Sequence, residues 1–346
     1  MKRIVLVLFV LLSFLVSCHK LYVRQEDKDV FKDLSSTSLE VHFIDVGQAD
    51  SALVLCDGKS MLIDGGNVDD SSLIYSYLKK EEITALDVVV ATHAHEDHVG
   101  GLSGALSFAD VETVYCPVTD YDSKAFSDFK KQVEKRNCEI TVPKPDTEFE
   151  LGKATVKILA CNAGEETNDT SIVLKVCFGN TSFLFTGDAE REAEKWLLDS
   201  GCDLKSTVLK VGHHGSANST TYPFLREVMP EYAVISVGKN NDYGHPTDDA
   251  LSRLRDAEAE VLRTDLLGDI VFTSNGEEVT YKAGKQIEDK EKSEILEWVV
   301  NKNSGKFHKP YCSSVLDMKE KNKLYLKSTR EKLIKEGYTP CGVCNG

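Results

Sequence analysis

The stretch Thr92-His93-Ala94-His95-Glu96-Asp97-His98-Val99-Gly100-Gly101 decides how this chain is read. It closes the apolar run that begins at Leu86. Three His and one Asp within six residues are rarely a packing device, because buried imidazoles and carboxylates each need a partner. They are the ligand types that zinc, iron and manganese accept. In an extended turn His93 and His95 project to one side, which leaves Asp97 and His98 to face a second ion.

Short apolar runs separated by turn signals surround this stretch. Period and composition predict strands over 41–46, 52–56, 60–64, 86–92, 154–160, 172–178, 183–186, 208–211 and 233–237. A hairpin is expected over 269–273 and 278–281. Helices are expected over 72–82, 123–136, 190–200 and 248–257. Strands and helices mix throughout, which places the fold in the α+β or α/β sandwich class.

The H-x-H-x-D-H signature followed by Gly-Gly resembles the metallo-β-lactamase superfamily. Phe43-Ile44-Asp45-Val46-Gly47-Gln48-Ala49-Asp50-Ser51 and Leu62-Ile63-Asp64-Gly65-Gly66 are similar to the opening motifs of its ComEC/Rec2-type branch. Phe185-Thr186-Gly187-Asp188, Val208 to Ser216 with its His213-His214 pair, and Tyr243-Gly244-His245-Pro246 follow in the same order. The resemblance spans about residues 38–283. It implies an α+β fold, an αββα sandwich with the metal site at one edge of two sheets. It also implies two divalent ions, Zn²⁺ in the first place and Mn²⁺ in the second. Their ligands would be His93, His95, Asp97, His98, Asp188, His213, His214 and His245, with Asp188 bridging.

One departure matters. Most members of the superfamily carry a further His ligand before the bridging Asp, but this chain has no His between His98 and His213. Asn168-Asp169-Thr170-Ser171 stands there instead, resembling the Asn-x-x-Ser motif of the ComEC branch. Either His213 or His214 fills the missing coordination, which is the preferred reading, or one ion is held weakly. Two ions sharing Asp188 would acidify a bound water and give hydroxide near neutral pH. Asp97, His213, His214 and His245 are then the catalytic candidates, with His245 or the non-ligating partner of the His pair protonating the leaving group. Asn168 and Ser171 either orient substrate oxygens or only make a turn. Asp45 and Gln48 either line the site or finish a strand, and Asp64 supports a ligand His. Gly215-Ser216 lacks the pattern of a nucleophile elbow.

The last fifty residues differ in composition. From Val300 to Gly346 there are ten Lys or Arg and four Asp or Glu, a net of +6. The whole chain carries −15, so the first 299 residues carry −21. His308-x3-Cys312 and Cys341-x2-Cys344 have the paired short spacings of a structural Zn²⁺ site; a disulfide is the alternative. The segment resembles the metal-binding domain of the Ada DNA-repair protein. His308 stands where that domain has its methyl-accepting Cys, so methyl transfer is not implied. The module is either a basic platform for a polyanion or a stabilising knob with a solvated Lys-rich face.

At the other end, Lys2 and Arg3 precede an apolar run, Ile4 to Val16, that stops at Leu15-Val16-Ser17-Cys18. The run is too short to span a bilayer and suits a signal peptide. The final four residues resemble a bacterial lipobox, which implies lipidation of Cys18; an ordinary signal peptide with a chance Cys is the alternative. The organisation expected is a lipoprotein signal at 1–18, a tether at 19–37, the metallohydrolase at 38–283, a linker at 284–299 and the zinc module at 300–346. Function follows as an expectation: a lipid-anchored metallohydrolase at the extracytoplasmic face of the cell membrane or outer membrane. It would hydrolyse phosphodiesters, DNA first among them. Another envelope phosphoester or a lactam is the alternative substrate, and a non-catalytic DNA-binding lipoprotein is the alternative class. The acidic surface of the large domain does not attract nucleic acid by itself.

Overall fold

Two sheets build the large unit, which ends at Gly284; a second compact unit begins at Lys285. The computed structural model describes residues 38–284 and, apart from 311 and 317, residues 296–341. Cys18, the leader and tether over 1–37, most of the linker, and Cys344 lie outside the described residues.

The first sheet has eight strands. In spatial order they are Val279–Ala283, Ile270–Ser274, Leu39–Phe43, Ala52–Cys56, Lys59–Ile63, Ala85–Val90, Asp110–Tyr115 and Ile140–Thr141. Pairing is antiparallel as far as Lys59–Ile63 and parallel beyond it. The second sheet has seven strands: Glu260–Arg263, Tyr232–Ile235, Val208–Lys210, Thr181–Phe185, Val173–Phe178, Ala154–Ala160 and Glu148–Leu151. Its first four are mutually parallel and the rest antiparallel. Each sheet is therefore half parallel and half antiparallel.

Alternation along the strands sorts side chains between layers. Ala52, Val54 and Cys56 enter a core shared with Phe183, Phe185 and Phe178 of the other sheet. Leu53 and Leu62 point the other way, towards Ile74, Leu102, Phe126 and Phe129 on the helices Ser71–Lys80, Leu102–Phe108 and Lys124–Lys135. On the far side Leu184, Leu209 and Ala233 meet Ala193, Leu197, Phe224 and Leu254 of the helices Arg191–Ser200, Tyr222–Val228 and Asp248–Asp256. The layers are helix, sheet, sheet, helix. Ser123 and Thr247 cap two of these helices, accepting from the amides of Phe126 and Ala250.

The strand expected over 41–46 leaves the ladder at Phe43. There the chain turns inward, and Ile44 and Val46 pack under the outer helices. Gly65 and Gly101 explain the two Gly-Gly pairs in the sequence. A Cβ on Gly101 would collide with the carbonyl of Gly65, so only glycine lets these two turns cross.

The second unit holds a four-stranded sheet in the order Lys323–Ser328, Leu296–Asn301, Lys306–His308, Thr339–Pro340. One small core contains Trp298, Val300, Phe307 and Leu333. The other contains Val299, Cys312, Val315 and Cys341.

Candidate metal centre

Every candidate ligand of the large unit follows the carboxyl end of a parallel strand, where open α/β sheets leave a crevice. His93, His95, Asp97 and His98 follow Ala85–Val90, and Asp188 follows Thr181–Phe185. His213 and His214 follow Val208–Lys210, and His245 lies in the loop after Tyr232–Ile235. The His-rich segment contains a short helix, Glu96–Val99, rather than an extended turn throughout.

His213 and His214 both adopt left-handed backbone, with φ of 46° and 52°. Two adjacent residues in extended chain would point to opposite sides. The left-handed pair swings both rings into one cleft, at a cost of order 1–3 kcal/mol per residue. The turn is held by the amide of His213 on the carbonyl of Gly187 (3.2 Å) and by Ser219 Oγ on the carbonyl of Gly212 (2.7 Å).

Asp188 sits at the centre. One carboxylate oxygen lies 3.9 Å from His93 Nε2, 3.8 Å from His213 Nε2 and 3.7 Å from His214 Nε2. The other lies 3.4 Å from His98 Nε2. Around this carboxylate two groups can be distinguished. Asp97, His98, Asp188 and His214 bring one ligand atom each within 4.8 Å of one another. His93 and His95 form the second group, with ring nitrogens 3.0 Å apart. His213 reaches Asp188 as well and stands beside Asn168, whose amide nitrogen is 3.4 Å from its Nδ1. Both members of the His pair therefore face the centre.

The donor set fits a divalent ion. His98 Nε2 and Asp188 Oδ1 are buried, face one another and make no hydrogen bond. Such atoms are costly unless something binds them. Charge gives the same answer. Burial would push the Asp188 carboxyl up, but the imidazoles of His98 and His214 hold it well below the usual range. In turn, against their own burial, Asp188 and its neighbouring carboxylates raise His98 well above its usual value and His214 to about 10. These protons supply positive charge that two divalent ions would supply with the rings neutral.

The surrounding contacts orient the ligands. Asp64 takes His98 Nδ1 at 2.8 Å and the Thr92 amide and hydroxyl at 2.7 Å each. Glu190 takes His213 Nδ1 at 2.7 Å. His214 Nδ1 lies 2.9 Å from the carbonyl of Ser236 and 3.3 Å from Asp50, which is paired at 2.7 Å with the buried ammonium of Lys210. The loop after the His pair is clamped by Glu194, which accepts from the amides of Thr220 and Thr221 and the Thr221 hydroxyl. Arg253 donates to four carbonyls of the same loop.

The remaining expected residues divide. Gln48, Asn168 and His245 line the cleft with Asp97 and Asp188. Ser171 is buried, and its hydroxyl accepts from the amide of Asp188 (3.2 Å), which helps to place the central carboxylate. Asp45 does not line the cleft. It lies two residues beyond the strand end at Phe43, where its amide donates to Asp269 (2.9 Å) and its carboxylate accepts from the amide of Gly47 (3.4 Å). His245 is lowered to about 4 by burial and by the charges of His213 and His214. It is neutral at pH 7 and suits a ligand or acceptor role better than that of a charged acid. The sequence reading missed Lys210, Asp50, Glu190 and Glu194. A Lys within Val208-Leu209-Lys210-Val211 was the available signal for the first, since a charge in an apolar strand needs a buried partner.

The family model for the metallo-beta-lactamase superfamily matches residues 44–239. The chain belongs to that superfamily. Among curated proteins it is similar to ComE operon protein 3 of Bacillus subtilis (30% identity over 70% of this chain). It is also similar to competence protein ComA of Neisseria gonorrhoeae (31% over 66%) and recombination protein 2 of Haemophilus influenzae (28% over 70%). These are relatives of ComEC type, and the chain spans about a third of their length: 34%, 31% and 29%. Among solved structures it is similar to the metallo-beta-lactamase fold protein YhfI of Bacillus subtilis, with a TM-score of 0.47 and 15% identity, covering 68% of this chain and 99% of that one. The superfamily fold agrees with the αββα layers, and the large unit is of the metal-dependent hydrolase family.

In the second unit His308, Cys312 and Cys341 bring ligand atoms within 4.8 Å of one another, all buried. Among the described residues neither ring nitrogen of His308 has a hydrogen-bond partner. Among the described residues Cys312 is a free thiol. Three soft and imidazole donors with an orphaned His ring fit tetrahedral zinc.

Proposed function

We propose that the large unit is a dinuclear phosphodiesterase acting on DNA. The observation that carries this reading is the convergence of six imidazoles and two carboxylates on one cleft around Asp188. One ion would be held by Asp97, His98, His214 and Asp188, and the other by His93, His95, His213 and Asp188. When bound, the ions supply Lewis acidity at a phosphoryl oxygen and an acidified water.

The protein's own residues do the rest. Asp64, Glu190 and Ser236 fix which ring nitrogen of each His faces the cleft. Asn168 and Gln48 present amides from the wall, where they can orient the phosphodiester oxygens. The Oδ1 atom of Asn168 is buried without a partner, so a bound donor would satisfy it. No side-chain nucleophile is required. The competence relatives support DNA as the substrate class.

The C-terminal unit is proposed to be folded around one Zn²⁺ held by His308, Cys312, Cys341 and Cys344. Lipidation of Cys18 is proposed to place the whole chain at the extracytoplasmic face of the cell membrane or outer membrane. Two or more acyl chains make such anchoring stable.

The test is turnover of linear DNA, bis-p-nitrophenyl phosphate and nitrocefin by purified protein with added Zn²⁺ or Mn²⁺. Cleavage of the first two and not the third is expected. Cleavage of nitrocefin alone would sink the phosphodiesterase reading.

A further inference from the structure

Tyr243 is 73% exposed, an unusual position for an aromatic ring at the wall of a metal cleft. Its ring lies against His245, with centroids 5.8 Å apart and planes at 27°. His245 therefore lies offset beside one face, and most of the ring is open. The loop that presents it is fixed rather than slack. The side-chain nitrogen of Asn241 donates to the carbonyls of Gly238 (3.0 Å) and His245 (2.6 Å). Its side-chain oxygen accepts from the amides of Tyr243 (3.2 Å) and His245 (3.0 Å). Gly244, at φ 68°, lets the chain reverse between the two rings. A single asparagine thus holds a stacked pair of rings at the mouth of a cleft of about 360 Å³.

We infer that Tyr243, backed by His245, is a stacking platform for a nucleobase, which makes this cleft a site for single-stranded nucleic acid or a frayed strand end. A flat ring with one open face and a fixed backing offers what a base needs, and every base has such a face. Inside a duplex both faces of each internal base are covered by neighbours, so away from a duplex end only an unpaired nucleotide can use the platform. The cleft volume falls in the range of sites for single small molecules. The inference rests on the phosphodiester reading only for the bond that is cut beside the stacked base.

Calorimetric titration of the full-length protein with adenosine 5′-monophosphate and with ribose 5-phosphate isolates the base. Wild type should bind the nucleotide roughly tenfold more tightly. Tyr243→Ala should bring the two ligands within about twofold, and Tyr243→Phe should keep most of the preference. Equal binding by wild type, undetectable nucleotide binding, or a preference that survives in Tyr243→Ala would overturn the platform. Cleavage of a single-stranded and a matched duplex oligonucleotide is followed in parallel. Faster cutting of the single strand supports the inference, and equal rates overturn it. Absence of any cleavage with the nucleotide preference intact would sink the phosphodiesterase reading and leave the platform standing.

Discussion

The two units place histidines on opposite terms. In the large unit the cleft is assembled on two sheets and three apolar cores, and the candidate ligands stand outside those cores. In the small unit the ligands belong to the core itself: Cys312 and Cys341 pack with Val299 and Val315. A segment of about fifty residues rarely folds on such a core alone. On the proposed reading, the difference separates a metal that would serve chemistry from a metal that would serve folding.

The largest expected effect follows from that contrast. Cys312→Ser should abolish protection from hydrogen exchange across 296–341 and release one zinc per chain. Structural zinc contributes roughly 10–16 kcal/mol in comparable small modules. Hydrolysis of a small phosphodiester by the large unit should stay within about twofold. Unchanged protection in the metal-free variant would break the contrast.

Asp188→Ala makes the complementary test. Hydrolysis should fall by about three orders of magnitude, several kcal/mol of charge stabilisation at tenfold per 1.4 kcal/mol. The far-UV circular dichroism should keep its shape, because the αββα cores do not include Asp188. A loss below tenfold would remove Asp188 from the centre.

Glu194 sharpens the contrast further, since it holds the large unit's His-pair loop without metal. Burial raises its carboxyl to about 7, although the Thr220 and Thr221 donors pull it down. The folded state therefore binds this proton more tightly than the unfolded chain. Its contribution to stability is complete below about 4.5 and is lost as pH rises through about 7, on the order of 3 kcal/mol. Glu194→Gln should flatten that part of the pH dependence. Urea midpoints at pH 5 and pH 8 measure it, and an identical slope in both proteins would contradict the assignment.

How much of this was legible in the sequence depends on range. The His-rich stretch, Asp188 and the His pair carry their chemistry in adjacent letters, and period placed most strands and helices of the layers. Asp110–Tyr115 was missed because its burial alternates weakly, with only Val114 fully buried. Contacts between distant segments left no local trace. Ser171 and Asp188 are 17 residues apart, Glu190 and His213 are 23 apart, and Lys210 and Asp50 are 160 apart. Only the fold brings each pair together. Asp45 stayed open between two roles for the converse reason: it sits inside a motif, yet it bonds Asp269 and Gly47 just beyond a strand end.

The smallest expected effect bears on the histidine missing between His98 and His213. Asn168 stands in that interval, and His213 stands beside it with its Nδ1 held by Glu190. Removing an orienting carboxylate of this kind costs ten- to a hundredfold in metal affinity or activity. Glu190 and the His213 ring are each about a quarter exposed, so water can replace part of the lost contact. Glu190→Gln should therefore weaken one ion by about tenfold and leave the other unchanged, as read by competition with a chelator of known affinity. Two equally weakened ions would mean that His213 acts through the bridging Asp188. A loss confined to one ion would mean that His213 itself completes the His93 and His95 group, and that the first of two neighbouring histidines replaces a ligand other members of the superfamily take from a different loop.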